Sequence, residues 1–331
     1  MASIVGKTAP ERAGGRYDAV VVGAGTAGLS AALVLGRSRR RVLVLDGGQP
    51  RNAPSSGVHY FLTRDGTPPV ELLRIAREQL EPYAGVEVRK ALAVRADRSG
   101  ADFQIALEDG STVGTRRILL ATGVHDELPE RPGFRELWGR GIFHCPYCHG
   151  WEVRDRPLAV LAPAQGAVEY SALIRNWSRD LVVLTDGAPN LDAPSRSRLD
   201  ALGVPVKEER ISRLEGNGVG GLRRIFFEDG SEIEREGLFY APLQRQRSDL
   251  AKALGCETEA MGPIPEVVKS DPTTHETTVE GVFVAGDAGT MKQGAIMAAS
   301  SGAVAAASLN HSLVLEDVET ELAALTAEAR H

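Results

Sequence analysis

The chain has 331 residues, 43% of them hydrophobic, and its 38 Lys and Arg against 44 Asp and Glu leave a net charge of −6 with a pI near 5.7. That length can bury a substantial core and suggests about two domains. The acidic balance argues against a nucleic-acid partner, no apolar run reaches the roughly 18 residues of a membrane span, and three cysteines make no secreted disulfide scaffold.

Residues 1–16 contain Lys7, Pro10, Glu11 and several glycines but no apolar signal-peptide core, so a flexible start and a cytoplasmic location are expected. The first ordered unit begins with Tyr17–Val22, a buried-strand pattern, followed by Gly23-Ala24-Gly25-Thr26-Ala27-Gly28 and an apolar helix pattern. G-x-G-x-x-G between a strand and a helix makes a tight turn, lets backbone approach a pyrophosphate and packs the helix closely on the strand. The basic run from Arg37 to Arg41 lies where that helix ends and complements its dipole. A second strand, Arg41–Leu45, ends in Asp46, placed to accept adenosine ribose hydroxyls. Together these predict a dinucleotide site of Gly23, Gly25, Thr26, Ala27, Gly28 and Asp46, without distinguishing NAD from FAD.

Farther along, Phe143-His144-Cys145-Pro146-Tyr147-Cys148-His149-Gly150-Trp151-Glu152 holds two of the three cysteines, flanked by histidines. A structural zinc site needs a second ligand pair, and Cys256 stands far off without one, so no metal is expected. The C-x-x-C-H haem-attachment pattern requires export, and no export signal is read. A glutaredoxin-like module also uses Cys-Pro-Tyr-Cys, but at the start of its own small domain. The leading choice is a thiol–disulfide centre, since closely spaced cysteines lower one thiol's pKa and the thiolate is the reactive species. Trp138, Trp151 and His59 are candidates to line an apolar cavity, with core packing the simpler expectation for the tryptophans. Cys256 reads as a buried bystander.

Near the C-terminus, Gly281–Ala285 is a strand pattern running into Gly286-Asp287, and residues 294–307 form a small-residue helix pattern. The combination resembles the second FAD motif of the flavoprotein disulfide reductases, and Leu119-Leu120-Ala121-Thr122-Gly123 resembles their crossover between domains. Within that superfamily the chain is most similar to the low-molecular-weight thioredoxin reductases, over residues 17–315 or so. The resemblance implies an α/β fold of two Rossmann-like three-layer domains, the second inserted in the first. Residues 1–124 and 245–331 would form the FAD-binding domain, and 125–244 an NADPH-like domain carrying Cys145 and Cys148. The implied cofactor is FAD, with Gly286 and Asp287 at its ribityl chain, Thr122 and Gly123 at the crossover, and the Arg51-Asn52 segment along the flavin. The helix starting near Ala295 would aim its N-terminus at the flavin pyrimidine, favouring negative charge on the reduced ring. A homodimer is implied as well.

Such reductases carry a second glycine fingerprint, for NADPH. Here the strand Leu158–Leu161 leads into Ala162-Pro163-Ala164-Gln165-Gly166-Ala167, with alanine at the glycine positions and a proline that lacks an N–H for an anion. After Leu181–Leu184, where arginines would hold a 2′-phosphate, comes Thr185-Asp186-Gly187, and Asp186 is expected to repel that phosphate. Without a nicotinamide donor, a substrate dithiol becomes the electron source. The chain is then similar to the thioredoxin-reductase-like dithiol oxidases that close disulfides in small natural products of the gliotoxin and holomycin type. That resemblance implies molecular oxygen as acceptor, hydrogen peroxide as product, Cys145 as the sulfur attacked by substrate and Cys148 as the flavin-side sulfur. His149 is the candidate base, on the expectation that its imidazole titrates near neutrality. Two other readings stay open: a thioredoxin reductase using NADPH or a ferredoxin-type donor, and a non-catalytic flavin redox sensor.

Overall fold

The computed structural model describes residues 15–162, 166–187 and 191–329, so most of the expected flexible start lies outside the described residues. The chain divides into two compact units, the first formed by residues up to 51, 70–125 and 245 onward, the second by Asn52–Pro69 and Asp126–Gln244. The segment 52–69, expected in the first part of the FAD-binding domain, therefore groups with the second unit.

Strands that read as unbroken apolar runs need cover on both faces, and the first unit supplies it. Val86–Lys90, Val42–Asp46, Arg16–Val22, the second half of Thr112–Leu120 and Val282–Val284 lie side by side in parallel. The start of Thr112–Leu120 instead pairs antiparallel with Asp102–Leu107, which pairs with Ala93–Ser99. Val20, Leu43, Leu45 and Ile118 pack against Phe103, Ile105 and Leu250 on one face. Val21, Val42, Val44 and Leu119 pack on the other against Leu29 and Leu35 of the helix Thr26–Arg37 and Leu309 and Leu313 of the helix Ala295–Glu328. These two helices meet backbone to backbone: a Cβ on Gly302 would lie 2.0 Å from the Ala27 carbonyl oxygen. Near Leu313 the long helix is tied down by charge, because the buried Arg116 guanidinium meets Asp18, Glu316 and Asp317 at 2.7–3.2 Å.

The second unit repeats the plan with shorter strands. Val206–Lys207, Leu181–Leu184, Leu158–Leu161, Gly237–Tyr240 and Ile142–Phe143 form a five-stranded parallel sheet in that order. Leu158, Val160, Val183 and Phe239 face the helices Ala167–Ile174 and Ala193–Ala201. Ala159, Leu161, Val182 and Leu238 face a three-stranded antiparallel layer of Ile211–Gly216, Leu222–Phe227 and Glu232–Glu234. Both units are thus three-layer Rossmann-like domains. Ile142–Phe143 is an edge strand, and its C-terminal end delivers the cysteine segment. That is the end of a parallel sheet where ligands are handled.

Candidate active site

In the first unit the glycine fingerprint forms a cradle open on one side. Gly23 has φ +112°, and a Cβ there would lie 2.3 Å from the Ala121 carbonyl oxygen, so the turn is pressed against the Leu119–Gly123 segment. A Cβ on Gly28 would lie 1.8 Å from the Gly23 carbonyl oxygen. Nothing lies within 4 Å of where a Gly25 Cβ would stand, which leaves backbone open to an incoming phosphate. The helix that starts at Thr26 has neither a side-chain cap nor an acidic residue in its first turn. The helix that starts at Ala295 shares both features, so the N-terminal amides of each suit an anionic group. Asp46 ends its strand with one oxygen accepting the Gly48 N–H at 2.8 Å and the other paired to Arg77 at 2.7 Å. Arg51 reaches Asp287 at 2.8 Å and Gln293 at 2.7 Å, and Gly286 at φ +71° receives support from Ser301 on the long helix. Thr122 and Gly123 follow Ala121 beside Gly23, with Gly123 at φ +66°. Of the residues expected at the cofactor, Asn52 alone belongs to the second unit, where its carbonyl accepts the Ser55 N–H.

The cysteine segment is built entirely within the second unit. Cys145 caps the one-turn helix Pro146–His149, with Pro146 at the first position where its missing N–H costs nothing. Cys145 and Cys148 form a disulfide, and the Cys148 N–H donates to Cys145 Sγ at 3.2 Å. Gly150 closes the turn, because a Cβ there would collide with the Pro146 carbonyl and with the Trp177 ring. Trp177 also meets Tyr147 edge to face at 5.6 Å. Facing the cysteines is a loop whose ends are bridged by Val58 and Thr67, with Tyr60 and Thr63 at positive φ and Tyr60 Oη 4.0 Å from Cys148 Sγ. This loop and the residues after Cys145 enclose a cleft of ≈ 510 Å³, lined by residues 59–63, Asp65, Tyr147, Trp151 and Glu152. Trp151 is 65% exposed there, whereas Trp138 packs against the core, so the two tryptophans divide between the two roles considered for them.

His149 differs from the expectation of a near-neutral base. Burial, with a smaller contribution from nearby His59 and His144, pushes its pKa down to about 4. The ring stacks on Phe143 at 4.8 Å, and its Nε2 lies 2.9 Å from Ser55 Oγ. The Ser55 hydroxyl proton is already donated to the Gly57 carbonyl at 2.7 Å. Ser55 must therefore accept from Nε2–H, and the lone pair falls on Nδ1, which is buried with no hydrogen-bond partner. His144 is placed differently, with Nε2 3.2 Å from Gln244 Nε2. Cys256 is buried against Thr277, and desolvation raises its thiol pKa, consistent with a bystander.

The glycine fingerprint of the first unit, the Cys145–Cys148 disulfide and the two Rossmann-like units all point to one group of enzymes. A sequence profile of the pyridine nucleotide-disulphide oxidoreductases matches residues 17–306. The chain belongs to this family. Thioredoxin reductase sirT of Leptosphaeria maculans is 34% identical over 309 residues, covering 89% of this chain and 93% of its own. Thioredoxin reductase tcpT of Claviceps purpurea is 34% identical, covering 87% and 91%. Among solved structures, HlmI matches with a TM-score of 0.89 at 40% identity, covering 95% and 98% of the two chains. A putative thioredoxin reductase TrxB from Bacillus anthracis matches at 0.85 and 34%, covering 91% and 99%. This member is thus a thioredoxin-reductase-like flavin oxidoreductase, and the family's cofactor is FAD. The open face at Gly25, the two uncapped helix starts and the Asp46 and Asp287 carboxylates fit a dinucleotide of that kind.

The family name presupposes a pyridine nucleotide, and two places in the second unit were expected to depart from such a site. Residues Pro163, Ala164 and Gln165 of the altered turn lie outside the described residues. At the end of Leu181–Leu184, Asp186 stands at φ +57° and takes a two-pronged ion pair from Arg131, at 2.6 and 2.5 Å. Its Oδ1 also accepts the Ile211 N–H at 2.8 Å. The expected bare charge that repels phosphate is corrected accordingly: Arg131 neutralises Asp186, and the same partly exposed pairing occupies that guanidinium. Sequence reading named His59, which lines the cleft, but missed Arg131, Ser55 and the rest of the 58–67 loop, because each meets its partner across dozens of residues. No helix among the described residues is long and apolar enough to cross a membrane.

Proposed function

We propose that this chain is an FAD-dependent dithiol oxidase that closes a disulfide in a small-molecule dithiol through Cys145 and Cys148, with molecular oxygen as final acceptor and hydrogen peroxide as product. The observation that carries this reading is an oxidised cysteine pair beside a cleft of small-molecule size. The commitment of Arg131 to Asp186 at the nucleotide side of the same unit supports it. The enzyme is taken to work as a homodimer in the cytoplasm.

A substrate thiolate attacks Cys145 Sγ, the S–S bond breaks, and Cys148 leaves as thiolate. The second substrate thiol, deprotonated, attacks the substrate sulfur of the mixed disulfide. Substrate departs as its disulfide, and Cys145 leaves as a thiolate stabilised by the Cys148 N–H. Two electrons have then passed from substrate to the cysteines, and the substrate has given up two protons. Bound FAD supplies the acceptor for that electron pair. His149 contributes a neutral imidazole with Nδ1 as its acceptor, held in that tautomer by Ser55.

Because His149 is neutral down to about pH 4, dithiol oxidation is expected to rise with ionisation of the substrate thiols and to show no inflection from this ring near its ordinary value. An inflection between about pH 6 and 7 that disappears in His149→Asn would overturn that assignment. Ser55→Ala frees the tautomer and is expected to slow reduction about 10-fold, with recovery in Ser55→Thr; nitrogen NMR of His149 should show Nε2–H in the parent and a mixture in Ser55→Ala.

The function itself is tested anaerobically. The yellow holoenzyme is given NADPH in one cuvette and dithiothreitol in another, and air is then readmitted. Bleaching by the dithiol alone, with peroxide formed in air, is the expected result. Rapid bleaching by NADPH would make protein-disulfide reduction the function instead, and a flavin that no dithiol bleaches would favour the redox sensor.

A further inference from the structure

Tyr60 brings a proton donor to one sulfur of the cysteine turn, with its Oη 4.0 Å from Cys148 Sγ. Neither sulfur of a disulfide carries a proton, so in this contact the Tyr60 O–H is the donor. The bond is weak while the sulfur is neutral. A sulfur that takes on negative charge draws its donor closer and holds it roughly twice as strongly. Cys148 has more need of such a donor than Cys145, because its own N–H points to Cys145 Sγ at 3.2 Å and serves the other sulfur. The next residue does not supply one either. His149 gives its Nε2–H to Ser55, and with its pKa pushed down to about 4 by burial it carries no charge near neutrality.

The loop that carries Tyr60 is shaped to present this hydroxyl. Its ends are closed by the Val58 N–H donating to the Thr67 carbonyl and the Gly66 N–H donating to the Val58 carbonyl, both at 2.8 Å. Tyr60 stands at φ +48° and Thr63 at φ +71°, a conformation that bulky and β-branched residues adopt where their surroundings impose it and that gathers at functional sites. Asp65 imposes it at Tyr60 by accepting the backbone N–H at 2.8 Å. The sulfur is held from the other side as well. Trp177 braces Tyr147 edge-on and leaves no room for a Cβ at Gly150, so the turn is fixed on both sides of Cys148.

We infer that Tyr60 is a further catalytic residue, whose hydroxyl donates to Cys148 Sγ as the disulfide opens and stabilises the departing thiolate, and that Asp65 positions it. The inference rests on the cysteine exchange of the oxidase reading above and not on the final electron acceptor. A substrate thiolate bonds to Cys145 Sγ, the Cys145–Cys148 bond breaks, and its electron pair leaves on Cys148 Sγ. The Tyr60 proton stays on Oη throughout, so no proton is transferred in this step. A leaving thiolate held in this way departs faster, and the pair becomes a stronger oxidant because its reduced form is the one stabilised.

The test is Tyr60→Phe, which keeps the ring and removes the hydroxyl. The holoenzyme is equilibrated anaerobically with mixtures of reduced and oxidised dithiothreitol, quenched and alkylated, and the free thiols at Cys145 and Cys148 are counted by mass spectrometry. The equilibrium constant for reduction of the pair is expected to fall about 10-fold in the variant, which is about 30 mV for a two-electron couple. Opening of the disulfide by dithiothreitol, followed by the same quench, should slow by about 10-fold while the melting temperature stays that of the parent. Asp65→Ala should cause about a 3-fold loss by itself and none when added to Tyr60→Phe, since it acts through the same hydroxyl. An equilibrium constant and an opening rate within about twofold of the parent in Tyr60→Phe would overturn the assignment, and losses that add in the double variant would remove Asp65 from it. Oxygen uptake separates this from the function. The expected shifts in a protein that consumes no oxygen with dithiols would sink the oxidase reading and keep Tyr60, whereas undiminished oxygen uptake with an unmoved equilibrium would do the reverse.

Discussion

Cys145→Ser and Cys148→Ser are each expected to lower dithiol oxidation by about 10⁴-fold or more, because a hydroxyl can neither form nor exchange a disulfide. Both proteins should remain yellow, since the residues expected to hold FAD, Asn52 apart, lie in the other unit and none belongs to the one-turn helix that carries the cysteines. The two variants should differ in one respect. In Cys148→Ser the remaining Cys145 thiolate sits at the helix start, although the cap donor now belongs to a serine backbone N–H rather than a cysteine one. It should react with the oxidised form of a small dithiol and trap a mixed disulfide visible by mass spectrometry. Cys145→Ser removes the capped sulfur and should trap far less. Turnover in either variant, measured by oxygen uptake, would exclude the exchange through Cys145 and Cys148.

Gly302→Val is expected to cost about 3 kcal/mol or more and to lower the melting temperature by roughly 10 °C, a scale set by overpacking at a site that cannot relax. The obstacle is backbone: a Cβ at 302 would lie 2.0 Å from the Ala27 oxygen and 2.8 Å from its carbonyl carbon, so two helices have to separate. Ala27 belongs to the glycine fingerprint, and Gly286 also approaches its side chain, at 3.0 Å from an added Cβ. Separation of the helices should therefore disturb the cofactor cradle, and the variant should purify with reduced FAD content as well as reduced stability. Val304→Ala, at a 41% exposed position two residues farther on, serves as the comparison and should shift stability by no more than about 0.5 kcal/mol. Thermal unfolding followed by flavin fluorescence reads both quantities; equal melting temperatures for the two variants would show that the contact tolerates a side chain.

The acid side of the stability curve should also carry a mark of His149. Its pKa in the fold, about 4, is below the ordinary imidazole value of about 6.5, so the unfolded chain binds the extra proton first. Stability from this residue is complete above the unfolded value and is lost progressively as pH falls toward the folded one.

Much of the protein was written locally. The runs at Val20–Val22, Val42–Leu45 and Leu158–Leu161 announce strands covered on both faces, and Gly23, Gly25 and Gly28 announce a turn that only small residues can make, because these patterns follow from the period of a strand and the bulk of a Cβ. Cys145-Pro146-Tyr147-Cys148 likewise carries its own geometry, since two residues between cysteines with proline at the first helical position suffice to form a capped turn. Tertiary structure alone decided the surroundings of that pair. Ser55 and Tyr60 lie about ninety residues before the groups they touch, and the positive φ of Tyr60 and Thr63 has no glycine to advertise it. Arg131 finds Asp186 in the same way, turning an expected repulsion into an internal ion pair. The chemistry of His149 shows the difference most clearly: composition offers an imidazole with its ordinary affinity for protons, whereas its proton affinity in the fold is set by desolvation and by neighbours that only packing brings together.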